Sequence, residues 1–177
     1  MESWTCSTCG KQHSGLPQGY SYDAPLFWYT VPEEERESRC VLNPDYCVID
    51  NRDYFVRGCL EIPVVGQREP FIWGVWVSLS ESNFERELRL ADDPARTNEP
   101  AYFGWLSTRI EIYPDTIALK TNVHTRRIGV RPFIEVEAVD HPLSAEQRDG
   151  ISVKRVIEIA EKVEHGWRHP LWDAKHA

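Results

Sequence analysis

The chain has 177 residues, 20 of them Lys or Arg and 28 Asp or Glu, for a formal net charge of −8. That length suits one domain whose core needs no staples, and 41% hydrophobic with 27% charged residues is globular rather than disordered composition. The acidic balance argues against a protein held to nucleic acid by phosphate contacts or to a membrane by a polybasic surface.

No apolar run approaches the roughly 20 residues of a membrane span. Met1-Glu2-Ser3-Trp4-Thr5-Cys6 lacks the basic and apolar regions of a signal peptide. An odd count of five cysteines fits a reducing compartment. These features predict a cytoplasmic protein with a single domain over 1–177, in which 1–20 form a small Cys-containing module and 21–177 the body.

Val31-Pro32-Glu33-Glu34-Glu35-Arg36 reads as a helix start, because Pro fits the first turn and acidic residues suit the positive helix end. It should stop before Asn43-Pro44. Residues 46–49 and 54–64 flank the polar turn Asp50-Asn51-Arg52-Asp53 and predict a hairpin. Phe71, Trp73, Val75, Val77 and Leu79 alternate with Ile72 and Trp76, which predicts a central strand covered on both faces. Ser80 should cap a short helix to about Leu90. A loop over 92–100 leads to strands at 102–112 and 116–125, joined by the turn Tyr113-Pro114-Asp115. Residues 132–139 read as the last strand, with Ile134, Val136 and Ala138 facing inward.

Ser144-Ala145-Glu146-Gln147 has capping-box spacing and starts a helical turn ending at Gly150. Ser152 caps a final helix in which Val153, Val156, Ile157, Ala160 and Val163 make one apolar stripe before Gly166. Trp167 and Trp172 argue that the tail beyond it is ordered. The pattern predicts an α+β fold: a mostly antiparallel sheet of about six strands with short helices, a C-terminal amphipathic helix and an N-terminal zinc-knuckle-like module.

The sharpest chemical signal is Cys6-Ser7-Thr8-Cys9-Gly10 followed by His13. Two thiolates at this spacing can close a tight turn around one tetrahedral ion, and Gly after the second Cys lets the backbone turn. A redox role for such a pair expects a strand–helix–strand setting, which is absent here. A closed zinc site needs four ligands. The expected set is Cys6, Cys9, His13 and Cys47, with Cys59, Cys40 and His165 as alternatives for the last place; a small buried core residue is an equally good reading of Cys47.

His141 beside Asp140 could act as a general base, although capping a loop is the commoner role of such a His. No nucleophile elbow, phosphate loop or dinucleotide fingerprint occurs. Arg109, Glu111, Lys120, His124, Glu135 and Glu137 read as a solvated sheet face or a recognition surface. Tyr102-Phe103-Gly104-Trp105 is either core packing or the aromatic anchor of a binding cleft.

Several segments together carry a family resemblance. They are Trp4 to His13, Tyr46-Cys47-Val48-Ile49-Asp50, Tyr54 to Pro63, Phe71 to Ser80 with its Trp-Gly-Val-Trp core, Tyr102 to Leu106, and Asp140-His141-Pro142-Leu143. In this order they resemble a bacterial family of uncharacterised proteins, a domain of unknown function. The resemblance implies a single-domain bacterial protein and brings no activity or catalytic residue, while its Cys pair and following His support the metal reading.

The function expected from all this is a non-catalytic, metal-stabilised protein that binds or regulates a protein partner, with an immunity-type inhibitor as one form. Charge complementarity to a basic effector motivates that form. The alternative is a small-molecule or hydrolytic enzyme using the metal site or His141. A nucleic-acid partner at Arg126, Arg127 and Arg131 is disfavoured by the overall charge.

Overall fold

The computed structural model describes residues 3–166; the expectation of an ordered tail after Gly166 lies outside them. An N-terminal hairpin pairs β1 (Ser3–Thr5) with β2 (Gln12–Ser14). Then come β3 (Gly19–Ser21), a one-turn helix α1 (Arg36–Arg39) preceded by a 3-10 turn at Glu33–Glu35, and the short strands β4 (Cys40–Leu42) and β5 (Tyr46–Ile49).

Two long strands, β6 (Asp53–Ile62) and β7 (Phe71–Leu79), pair antiparallel from Tyr54 opposite Leu79 to Ile62 opposite Phe71. They continue into β8 (Tyr102–Leu106), β9 (Lys120–His124) and β10 (Phe133–Val136), each antiparallel to the strand before it. Phe133 of β10 returns beside Cys59 of β6 in parallel, so β6 to β10 close into a five-stranded barrel.

The fold is thus mixed α+β, but the sheet differs from the six mostly antiparallel strands expected. All six are present as β5 to β10. To them are added β4, antiparallel to β5, and β3, parallel to β7. The reason is strand length. β7 bonds β3 through Ile72–Gly74 and β8 through Val77 and Ser78, while β6 bonds β5 through Asp53–Val56 and β10 at Cys59. Each long strand changes neighbours midway, which curls the sheet shut.

The seam depends on Gly58. A Cβ there would stand 2.5 Å from the Ile134 side chain and 2.9 Å from the Pro132 carbonyl oxygen, so only Gly lets β10 approach and the Cys59 N–H reach Pro132 O at 2.8 Å. Inside the barrel lie Leu60, Ile62, Trp73, Val75, Val77, Leu106, Val123 and Ile134, all essentially inaccessible. On the other face of β7, Trp76 is equally buried and its Nε1 donates to Tyr22 O at 2.9 Å. The central strand is covered on both sides, as its composition predicts.

The strands expected at 102–112 and 116–125 are shorter in the structure. The chain leaves the ladder after Leu106 because buried hydroxyls take over the backbone bonding. Thr108 Oγ1 accepts the Trp76 N–H at 2.8 Å, and Thr116 Oγ1 accepts from Ile110 N and donates to Thr108 O.

Helix α2 (Glu81–Arg89) is capped by Ser80, whose hydroxyl accepts from Asn83 N at 3.3 Å. Helix α3 (Pro142–Asp149) starts two residues before the expected Ser144. Its cap is His141, and the Ser144 hydroxyl donates instead to Glu137 O at 3.1 Å. Helix α4 (Val153–Gly166) begins at the Ser152 cap. Its buried stripe is Val156, Ile159 and Ala160. Ile159 joins the expected set, while Ile157 is only half-buried and turns to the N-terminal hairpin. Among the described residues, no helix is long and apolar enough to cross a membrane.

Candidate metal centre

The turn between β1 and β2 is built for close approach of its side chains. Cys6 N donates to Lys11 O and Gly10 N to Cys6 O, both at 2.9 Å, and Gly10 takes φ +70° to close the loop. This brings Cys6, Cys9 and His13 together, with one donor atom from each within 4.8 Å of the others. Cys6 is buried in a small cluster with Trp4 and Ala160, and Cys9 is exposed. His13 stands opposite Trp4 in the hairpin, with the two rings stacked 4.3 Å apart. Trp4 is itself held by a 3.1 Å bond from Nε1 to Gly15 O.

Two carboxylates of α4 face this turn. Glu161 accepts from the backbone N–H of Ser7 and, at 2.8 Å, from its hydroxyl. The Ser7 N–H, followed by the hydroxyl, holds the Glu161 carboxyl below the usual range. Glu164 stands 3.8 Å from Nδ1 of His13. Burial, together with the Glu164 charge, pushes the Tyr20 phenol up to about 12.

The donors suit a metal ion. Two sulfurs and an imidazole favour zinc over hard cations. Nε2 of His13 is enclosed and has no hydrogen-bond partner among the described residues. A buried polar atom left in that state calls for an explanation, and coordination supplies one.

A family model described as "Uncharacterized protein conserved in bacteria (DUF2199)" matches residues 5–151. The chain belongs to this family. The matched span holds all three donors and the whole barrel. No curated protein and no solved structure matches the chain.

The remaining expected ligand does not join Cys6, Cys9 and His13. Cys47 lies fully buried in the main core, a different cluster from Cys6. Burial, then the nearby Cys40, pushes its thiol up to about 12. The bland reading of Cys47 as a small core residue therefore fits its position. Cys40 opens β4, Cys59 sits at the barrel seam, and His165 is exposed near the end of α4. None of them enters the group with Cys6, Cys9 and His13.

Reasoning on the sequence missed Glu161 and Glu164. Their signal was their position beside Ala160 and Val163 on the stripe of α4. His141 Nδ1 accepts the Leu143 N–H at 3.1 Å, which is the capping role. On the barrel exterior, Phe103 and Trp105 are 44% and 42% exposed and meet edge to face at 5.1 Å, so the core-packing reading of these two fails. Tyr102 and Leu106, the alternate residues, do point inward.

A second polar constellation was not foreseen. Glu87 and Arg96 form an ion pair while being 1% and 5% exposed, and Arg96 Nη1 also donates to Ala91 O at 2.8 Å. Burial raises the Glu87 carboxyl. With Arg57 and Arg131 the pair lines a cleft of about 180 Å³.

Proposed function

We propose that the protein is a non-catalytic, zinc-stabilised binding protein whose partner is another protein carrying a basic surface, as an immunity-type inhibitor would have. The observation that carries the zinc reading is the convergence of Cys6, Cys9 and His13 around an enclosed, unpartnered Nε2. Cys6 is buried with Trp4 and Ala160 against α4, and this packing supports a structural ion, with the fourth ligand of a closed site still to be supplied beyond Cys6, Cys9 and His13.

The binding reading is supported by the exposed Phe103–Trp105 pair on β8. Aromatic side chains that a core does not use are common interface anchors. Across from them on β9 lie Asn122 and Lys120, so the aromatic pair sits in a polar rim. The net charge of −8 speeds encounter with a cationic partner.

The test is a native mass spectrum of the protein isolated from its own host. One zinc per chain, retained until the protein unfolds, is the expected result; a metal-free wild type overturns the zinc reading. A copurifying basic protein should be lost from Phe103→Ser/Trp105→Ser at unchanged zinc content. Retention of the partner by that variant overturns the docking face.

A further inference from the structure

We propose that the Glu164 carboxylate of α4, 3.8 Å from Nδ1 of His13, closes on that N–H when the metal is held, so that Nε2 is the donating nitrogen and metal loading clasps the C-terminal helix to the N-terminal hairpin. The inference rests on the zinc reading above. A neutral imidazole carries one N–H, and the partner of one nitrogen decides which nitrogen is free to coordinate.

The two nitrogens of His13 have different surroundings. Glu164 Oε2 stands 3.8 Å from Nδ1. Nε2 is enclosed without a protein partner. The stacked indole of Trp4, with planes 10° from parallel, fixes the plane of the ring.

The same face of α4 makes two further contacts with the turn. Ala160 packs on Cys6 and Trp4, and Glu161, one residue on, binds Ser7 between the two cysteines. Residues 160, 161 and 164 lie within one turn of the helix. α4 thus touches the cysteine turn and the histidine at once, which is the arrangement expected of a helix that orients metal ligands.

The experiment measures zinc affinity by competition with a chromophoric chelator, on the full chain. Glu164→Ala should weaken zinc by roughly tenfold to a hundredfold. Glu164→Gln keeps an acceptor oxygen and should recover part of the loss. Lys162→Ala, on the exposed side of α4, should match the wild type.

A cobalt-loaded sample gives a readout that packing alone would not move. Its visible ligand-field bands should shift in Glu164→Ala while the metal-free melting temperature stays put. Zinc affinity within twofold of wild type and an unchanged cobalt spectrum in Glu164→Ala would overturn the proposal and leave the zinc reading standing. A wild type that binds no zinc would overturn both.

Discussion

The indole of Trp4 lies flat against the imidazole of His13, with centroids 4.3 Å apart, across the hairpin of β1 and β2. Because Trp4 also packs on Ala160 of α4, one side chain joins the candidate ligand to the helix behind it. Trp4→Ala should destabilise the protein by about 3 kcal/mol, the low end for removing a large buried aromatic. Trp4→Phe should recover part of this. Equilibrium denaturation with and without zinc checks it, and an unchanged midpoint for Trp4→Ala would show the hairpin to be uncoupled from the fold.

Chelation should act locally. Zinc at a free concentration a hundred times its Kd should stabilise the protein by about 2.7 kcal/mol. Removing it should speed hydrogen exchange in the hairpin and in α4 from Ala160 onward while the barrel amides stay protected, since Trp4, Cys6 and Ala160 form a cluster apart from the main core, which holds Val156 and Ile159. Uniform loss of protection across the barrel would contradict this division.

Thiol labelling separates the cysteines. With the Cys47 thiol pushed up to about 12 by burial, only about one molecule in ten thousand carries its thiolate at pH 8. Cys9 is exposed and should be the first alkylated in metal-free protein. Zinc should protect Cys9 and leave the inertness of Cys47 unchanged. Peptide mass mapping after iodoacetamide reads both, and rapid modification of Cys47 in folded protein would contradict its core placement.

Glu87→Ala should cost about 3–5 kcal/mol, because it leaves the Arg96 guanidinium buried and uncompensated. Glu87→Leu/Arg96→Met should recover most of that loss. The folded-state carboxyl of Glu87 is raised by burial. It therefore contributes stability fully present below its unfolded value near 4.5 and lost as pH rises through the folded value. Relative to the double variant, the wild type should lose stability as pH climbs out of the acid range, as urea midpoints across pH 3–8 would show. A flat difference would mean that the pair carries no such linkage.

Gly58→Val should open the barrel seam. Its side chain would meet Ile134 and the Pro132 carbonyl, at a cost of about 1–3 kcal/mol for overpacking, or more where backbone must move. Gly58→Val/Ile134→Ala should recover only part, because the carbonyl contact remains. Wild-type stability in the single variant would show that the seam can relax.

Local patterning made much of this protein legible in advance. The hairpin of β5 and β6, the two-sided burial of β7, the Ser80 and Ser152 caps and the Cys6–Cys9 turn are each set by residues a few positions apart. Period-two alternation, hydroxyl caps and the reach of a tight turn operate at that range. The same locality explains the misses. Ser144 has capping spacing, yet His141 and Pro142 start the helix sooner. The strand pattern runs on past Leu106, where buried threonines take the backbone hydrogen bonds.

Neighbouring side chains fix the long strands, the Ser80 and Ser152 caps, the chemical character of the N-terminal turn and the family to which the chain belongs, while β3, β4 and the end of β8 at Leu106 are not written locally. Packing settles that β10 closes on β6 at Gly58, that Cys47 belongs to the core, and that Phe103 and Trp105 face outward. It alone brought Glu161 and Glu164 to a turn about 150 residues away in the chain. These outcomes depend on which surfaces meet once the long strands exchange neighbours. Burial and charge pairing across such distances are properties of the packed chain, with no local signature to read.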